Sequence, residues 1–271
     1  MSEPARRLSL VRADAPAEPL VREEAALDLD EINDYLDGAS AEDVVRWALR
    51  TFPGSVLLSS SFGAESALML HLCYAQRERR DAPGIPVVFL DTGYLFPETY
   101  TFADELTKRF GLDLRAYSPQ MTAARQEALY GRLWQGSDED LARYNQLNKV
   151  EPMDRALREI GARAWIAGLR AHQTEHRKSL RTVELVDGVY KIHPILRWSK
   201  DDVSRYMRAH DLPYHPLYAF GYRSIGDVHS TTPTALGQDE RDGRNLGQKR
   251  ECGIHLPRTP EANASLKSSG L

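Results

Sequence analysis

Short apolar runs that end in polar turns and lead into amphipathic stretches constrain the fold of this chain more than any other feature. A serine-rich turn follows residues 56–58, Asp-Thr-Gly follows residues 85–90, and an arginine follows residues 164–169. A further strand is expected at residues 112–117. Strands that alternate with helices of this length predict a mainly parallel sheet covered on both faces. We therefore expect an α/β protein with a doubly wound sheet.

Periodicity and turn chemistry predict the remaining elements. Asp187-Gly188 lies inside residues 183–195 and favours a hairpin, while Ser199 is a good cap for a following helix. Apolar residues at helical spacing predict helices over residues 28–51, where Ser40 is a good N-cap, and over residues 64–79, 97–110, 151–160 and 199–210. Further helix is expected after the strand at 112–117, through Leu133.

Composition divides the chain into three parts. Residues 1–27 are rich in Ala, Pro, Arg and Glu without sustained periodicity, which predicts a flexible N-terminal arm. Residues 28–220 carry the strand and helix patterns and are expected to form an α/β domain. Residues 221–271 contain many Gly, Thr, Arg and Asp and few large apolar side chains. We expect this C-terminal segment to be a mobile tail, either disordered or a functional flap.

Charge and cysteine content exclude several classes of protein. Lys and Arg total 35 against 39 for Asp and Glu, a net charge of −4 that argues against a nucleic-acid-coating protein. No apolar run reaches the roughly 18 residues of a membrane helix, and the first thirty residues lack the apolar centre of a signal peptide. Two cysteines cannot form a disulfide framework or a four-cysteine metal centre, and no histidine pairing predicts a zinc site. A reducing, cytoplasmic setting without membrane or nucleic-acid partners is expected.

The serine-rich turn after the first strand is the first candidate site. Such a turn presents hydroxyls, backbone N–H groups and a helix N-terminus to an anionic oxygen. The glycine spacing differs from a Walker loop, and an ordinary capped turn remains the alternative. The candidate residues are Ser59, Ser60, Ser61, Phe62, Gly63 and Ser66.

Two other strand ends should open onto the same crevice, because ligands bind beyond the carboxyl ends of the strands in an open α/β sheet. Asp91, Thr92 and Gly93 could hold a ribose hydroxyl or an adenine edge, although this tripeptide is also a common turn. Arg170 and Arg177 could bind phosphate or sulfate through paired N–H groups, the alternative being a solvated helix start.

Cys252 is the candidate nucleophile. Lys249, Arg250 and His255 surround it, and nearby positive charge favours the reactive thiolate. The alternative is an incidental surface thiol. The other cysteine, Cys73, lies in an apolar helical stretch and is expected to be inert packing.

Six motifs together resemble the thioredoxin-dependent, cluster-free phosphoadenylyl-sulfate (PAPS) reductases of sulfate assimilation. The resemblance covers roughly residues 40–256 and rests on Ser59–Gly63, Asp91–Tyr100, Asn148–Met153, Gly168–Arg170, Tyr214–Leu217 and Lys249–His255. It implies a sheet of the adenine-nucleotide alpha-hydrolase-like type, PAPS as substrate and a homodimer. It also implies that Cys252 attacks the sulfate sulfur to form S-sulfocysteine, from which thioredoxin releases sulfite.

The cysteine count bears on the reductant and the substrate. Cys73 offers no internal partner for Cys252, so the electrons must come from outside, from thioredoxin or glutaredoxin. The similar adenylyl-sulfate (APS) reductases hold a [4Fe–4S] cluster on four thiolates, which two cysteines cannot supply. This favours PAPS, whose 3′-phosphate could be bound by Arg177, Lys178 or Arg241.

Three alternatives remain open at this stage. One is an APS reductase without a cluster. Another is a nucleotidyl transferase or ATP pyrophosphatase of the same fold, such as the small subunit of sulfate adenylyltransferase. The last is a non-catalytic nucleotide-sensing module. Neither of the last two needs a thiol near the C-terminus.

Overall fold

A computed structural model describes residues 27–76, 84–235, 237, 242–244 and 253–255 of the chain. Within these ranges, six strands form one sheet in the order β3-β2-β1-β4-β6-β5. All neighbouring pairs are parallel except the β5–β6 hairpin, so the predicted mainly parallel sheet is confirmed. The strands are β1 Val56–Ser59, β2 Pro86–Leu90, β3 Asp113–Tyr117, β4 Ala164–Ile166, β5 Val183–Val186 and β6 Val189–Ile192.

Helices cover both faces of this sheet. The α-helices of the described part are α1 Leu29–Leu36, α2 Ala41–Thr51, α3 Ala67–Ala75, α4 Pro97–Phe110, α5 Ala123–Tyr130, α6 Asp138–Asn145, α7 Glu151–Ile160, α8 Glu175–Lys178 and α9 Lys200–Ala209. Strand β1 shows how the two cores form, because successive side chains point to opposite faces. Val56 and Leu58 belong to the core beneath α2, α3, α4 and α9, whereas Leu57 packs with Met153 of α7 on the other face.

Several predicted elements differ in their boundaries. The helix predicted over 28–51 is two helices, since Gly38 takes a left-handed φ of 78° and Ser40 caps α2 by accepting the N–H of Asp43. Helix α3 starts at Ala67 rather than residue 64, because residues 60–66 form the turn. Strand β4 ends at Ile166 instead of reaching residue 169.

One region was not predicted at all. Helix α6 continues through a π-helical turn, Gln146–Val150, into α7. Helix α6 is acidic and polar, and only Tyr144 in it is buried, so it lacks the apolar stripe on which sequence-based prediction depends.

The hairpin and the last helix match the sequence. Asp187 and Gly188 both have positive φ angles, 52° and 79°, as a tight two-residue turn between antiparallel strands requires. Ser199 caps α9 in a reciprocal capping box with Asp202.

The ends of the chain are described only in part. Of the predicted arm, only Leu27 is described, and its N–H donates to the hydroxyl of Tyr190 at 3.3 Å. Most of the predicted mobile tail likewise lies outside the described residues, so the three-part division remains a prediction. Across the ranges that the structure covers, we find no helix of sufficient length and apolarity to cross a bilayer.

Candidate active site

A cavity of about 310 Å³ lies at the carboxyl ends of β1, β2 and β4. Its position follows from the strand order. The chain proceeds outward from β1 to β2 and β3 and then crosses back to β4 on the other side of β1. The exits of β1 and β4 therefore diverge and leave a crevice, which is the usual ligand site of such sheets.

The serine turn forms one wall of the cavity. Ser59, Ser60, Ser61, Gly63 and Ser66 line it, as expected for a binding turn. Phe62 does not line it. This residue has a left-handed φ of 47°, is fully buried and packs edge-to-face on Phe89. Phe62 thus fixes the strained turn to the core, while its serine neighbours face the cavity.

Hydrogen bonds set the shape of the serine turn. The indole N–H of Trp165 on β4 donates to Ser59 Oγ at 2.7 Å, which ties the turn to the neighbouring strand. The N–H of Phe62 donates to Ser60 Oγ at 3.2 Å, and the hydroxyl of Ser66 donates to the carbonyl of Gly63 at 3.0 Å. The turn is therefore preformed.

The Asp-Thr-Gly turn after β2 contributes one residue to the lining. Thr92 is buried and faces the cavity. Asp91 and Gly93 lie off the lining. Asp91 Oδ1 accepts the N–H of Gly93 at 2.9 Å and the hydroxyl of Tyr100 at 2.7 Å, so this carboxylate closes the turn. Burial and the adjacent Asp91 raise the pKa of Tyr100.

Two arginines after β4 form the opposite wall. Arg170 and Arg177 line the cavity, and each is only 5% exposed. Arg170 Nη2 donates a hydrogen bond to Glu65 Oε2 at 2.9 Å, and this bond connects the end of β4 to the serine turn. Thr174 caps α8 by accepting the N–H of Arg177 at 3.3 Å. The structure thus brings both predicted arginines to the predicted crevice.

A lysine that sequence analysis did not single out also faces the cavity. Lys149 lies in the π-helical turn, a feature often found at functional sites. Its neighbour Asn148 is fully buried and locks that turn: the Asn148 and Gln126 side-chain amides exchange two hydrogen bonds of 2.9 Å, and Asn148 also donates to the carbonyl of Tyr144. The Asn148–Met153 motif was the available signal, but periodicity assigned no element to residues 148–150, which include this lysine.

Asp227 also lines the cavity and was not predicted as a site residue. It is 1% exposed, accepts the hydroxyl of Thr92 at 2.6 Å and lies 2.7 Å from the ammonium of Lys149. Burial tends to raise the pKa of its carboxyl. The ion pair, the two hydrogen bonds and the charge of Arg244 outweigh burial and hold that pKa at about 2. Asp227 is therefore a carboxylate at neutral pH.

An aromatic cluster lies behind this ion pair. The ring of His229 stacks on Trp134 at 4.1 Å and 10°, and its Nε2 is 3.1 Å from the hydroxyl of Tyr144. Burial lowers the pKa of His229 to about 4, so the ring is neutral at pH 7. Burial also raises the pKa of Tyr144, which keeps its phenol protonated.

Three described residues of the C-terminal segment, Gly253 to His255, close one side of the cavity. Lys191 Nζ donates to the carbonyl of Ile254 at 3.3 Å, and His176 Nε2 lies 3.1 Å from the carbonyl of His255. The His255 ring stacks on Trp165 with centroids 5.2 Å apart. Ile254 and His255 line the cavity, as predicted for the latter.

The predicted nucleophile and its two basic neighbours, Cys252, Lys249 and Arg250, lie outside the described residues. Gly253, the residue bonded to Cys252, lies beside Asn145 and Val150, which mark the two ends of the turn that carries Lys149. The other cysteine, Cys73, is buried in α3, and burial raises the pKa of its thiol to about 12. It is packing, as predicted.

Among the residues that the structure covers, no three His, Cys, Asp or Glu side chains converge as potential metal ligands. The cavity lining instead combines hydroxyls, backbone N–H groups and two carboxylates with five cations, Lys149, Arg170, Arg177, Arg223 and Arg244. Such a lining suits a polyanionic ligand.

Comparison with known proteins places this geometry in context. The sequence model of one protein family, the phosphoadenosine phosphosulfate reductase domain, matches residues 55–233 of the chain. The chain is 50% identical over 247 residues to a phosphoadenosine 5′-phosphosulfate reductase from Synechocystis sp., spanning 90% of this chain and 97% of the relative. It is 52% identical over 228 residues to the protein of that name from Alkalilimnicola ehrlichii, spanning 84% and 91%.

Solved structures agree. A phosphoadenylyl-sulfate reductase from Candida auris, crystallised as a phosphate complex, is 30% identical with a TM-score of 0.64 and covers 76% of this chain and 98% of its own. FMN adenylyltransferase from Candida glabrata, in complex with FAD and pyrophosphate, has a TM-score of 0.55 at 15% identity, covering 91% and 86%. At that identity the second likeness shows the fold alone, which is the expected adenine-nucleotide alpha-hydrolase-like sheet.

Proposed function

The chain belongs to the phosphoadenosine phosphosulfate reductase family, and from that premise we propose that its cavity binds PAPS and presents the sulfo group to Cys252. The chain is accordingly an oxidoreductase of sulfate assimilation that reduces PAPS to sulfite and adenosine 3′,5′-bisphosphate. One observation carries the proposal. The residues directly after Cys252 close a cavity whose other walls hold a serine turn and buried arginines.

The lining suggests how each part of the substrate is bound. The serine turn and the N-terminus of α3 offer N–H and O–H donors to the phosphosulfate oxygens. Three cations are candidates for binding the 3′-phosphate. Arg177 is buried and lines the cavity, whereas Lys178 forms an exposed pair with Glu175, and Arg241 lies outside the described residues. We therefore assign the 3′-phosphate to Arg177.

The proposed chemistry proceeds in two displacements. The Cys252 thiolate attacks the sulfur of the sulfo group, the bond from that sulfur to the bridging oxygen breaks, and adenosine 3′,5′-bisphosphate leaves with the electron pair. A thiolate of the reductant then attacks Cys252 Sγ, and sulfite leaves with the electrons of the S–S bond. The second thiol of the reductant resolves the mixed disulfide and releases the Cys252 thiolate. The dithiol supplies both electrons.

The buried position of Cys73 supports an external reductant. Its thiol lies in the core with a raised pKa, so it cannot serve as a resolving thiolate. We propose a dithiol protein, thioredoxin or glutaredoxin, and no iron–sulfur cluster, since the chain has too few cysteines for four-thiolate ligation. We further propose, from the family resemblance, that the chain forms a homodimer and acts in a reducing cytoplasm.

The decisive experiment is intact mass spectrometry after incubation with PAPS in the absence of reductant. The wild-type chain should gain the mass of one SO₃ group that maps to Cys252, and thioredoxin should then release it as sulfite. Cys252→Ser should bind PAPS without gaining the adduct, while the matched variant Cys73→Ala should gain it. APS in place of PAPS should give little adduct. An adduct on another residue, or sulfite release by Cys252→Ser, would disprove the assignment.

A further inference from the structure

Gly226 lies directly beneath a guanidinium group. A Cβ atom at this position would lie 2.3 to 2.4 Å from Cζ and both Nη atoms of Arg244. Side chains cannot approach that closely, so the flat guanidinium rests against the backbone of Gly226 only because the residue is a glycine. Arg244 comes from a separate part of the chain and reaches this position through a bridge to Thr231.

The next residue, Asp227, holds a second cation. Its carboxylate lies 2.7 Å from the ammonium of Lys149, whose side chain is 13% exposed. Two cations that approach one small cavity repel each other, and burying them without a counter-ion is costly. Because Asp227 offsets one charge, the three side chains together keep a single net positive charge.

The segment that carries these two residues is itself fixed to the sheet. Asp227 forms an antiparallel bridge with Leu95, and the N–H of Val228 donates to the carbonyl of Tyr94 at 2.8 Å. The Thr92 hydroxyl, at the end of β2, donates to Asp227 Oδ1. The position of both cations relative to the strand ends is thus set by short, buried contacts.

We propose that Gly226 and Asp227 are positioning residues, a seat that holds Arg244 and Lys149 against the cavity so that both can bind anionic groups of the substrate. A second observation points to a ligand. Within the described part of the chain, the Nε atom of Arg244 is shielded from solvent and has no hydrogen-bond partner, although this arginine lines the cavity. The seat rests on the proposed function, since the anionic groups are those of PAPS.

A double-mutant cycle separates positioning from a general structural role. We expect Gly226→Ala to displace the guanidinium and to raise the Kd for PAPS by about tenfold, the usual effect of losing a charge-assisted hydrogen bond. Titration calorimetry in the Cys252→Ser background measures binding without turnover. In a chain that also carries Arg244→Ala, the same glycine substitution should have no further effect, because the group that it displaces is absent.

A second cycle uses the carboxylate. Asp227→Asn should raise the KM for PAPS by about tenfold while kcat falls less, and it should add little in the presence of Lys149→Met. Because Asn keeps the size of the side chain, this cycle decides the question if Gly226→Ala fails to fold. The matched control is Gly136→Ala, whose Cβ would come equally close, at 2.3 Å, to a side-chain oxygen of Asp140 outside the cavity lining. It should bind PAPS as the parent does.

The outcomes are distinguishable. Additive effects in both cycles, with normal PAPS binding and turnover by the wild-type chain, would overturn the seat and leave the proposed function standing. The loss of PAPS affinity in the Gly136→Ala control would also overturn it, since the effect would then be unspecific. A wild-type chain that neither binds nor reduces PAPS would refute the function and, with it, the seat.

Discussion

Replacing His215 by asparagine should remove a large part of the acid sensitivity of the fold. His215 is 1% exposed and lies between the end of α9 and the serine turn, where its N–H donates to the carbonyl of Ala64. Its Nδ1 accepts the N–H of Leu217 at 3.1 Å, so the proton of the neutral ring is on Nε2, 3.1 Å from the Thr99 hydroxyl oxygen. Burial lowers the pKa of His215 to about 4.

The magnitude follows from the difference between the folded and unfolded pKa. An unfolded histidine titrates near pH 6.5, so the unfolded chain takes up this proton first as the pH falls. The stability that depends on neutral His215 is therefore complete above about pH 6.5 and is lost progressively as the pH falls toward about 4. Between about pH 7 and about pH 5 the loss amounts to roughly 2 kcal/mol of unfolding free energy, at about 1.4 kcal/mol per pH unit.

The assay is urea unfolding of wild type and His215→Asn at these two pH values. Asparagine is a favourable helix cap, and its Oδ1 can accept the N–H of Leu217 without titrating. The wild-type chain should lose roughly 2 kcal/mol more than the variant on acidification. The other histidines are present in both chains and cancel in the comparison. Parallel losses in the two chains would show that His215 does not titrate as its burial requires.

Two further substitutions test how the tail and the π-helical turn are held. Lys191→Met removes the donor to the carbonyl of Ile254 and should slow adduct formation on Cys252 by about tenfold at unchanged PAPS affinity. Single-turnover mass spectrometry measures the rate of adduct formation, and an unchanged rate would contradict the prediction. Asn148→Ala leaves the buried Oε1 of Gln126 without its donor, although Nε2 keeps its hydrogen bond to the carbonyl of Met121, and the substitution should cost about 1–3 kcal/mol in urea unfolding. A cost below about 0.5 kcal/mol, as at an ordinary surface position, would contradict the importance of that amide pair.

Features encoded within a few consecutive residues were predicted correctly. The hairpin at Asp187-Gly188 needs two positive φ angles, which this dipeptide adopts readily. The strands and α7 have apolar patterns that favour one secondary structure. Over 28–51 the helical residues and the Ser40 cap were predicted correctly, but the end of α1 at Leu36 was not, because Leu36 and Val44 both face the core and the helical spacing continues across the break.

The candidate site was predictable only where a strand end carries it. Strand ends in a parallel sheet share one edge, so the serine turn, Thr92 and the two arginines after β4 could be expected together. Lys149 could not, because its orientation depends on a π-helical turn locked by Asn148 and Gln126, which are distant in sequence. No periodic pattern in the amino-acid sequence predicts that turn.

The sequence alone determined the alternation of strands and helices, the turns between them and the types of side chain available for binding an anion. Local windows suffice for this, because propensity, capping and turn geometry act over a few residues. Tertiary structure alone decided that the exits of β1 and β4 diverge around one cavity and that Asp227 pairs with Lys149 inside it. The attraction within such a pair is strong only where water is excluded, and that environment arises only when distant segments pack together.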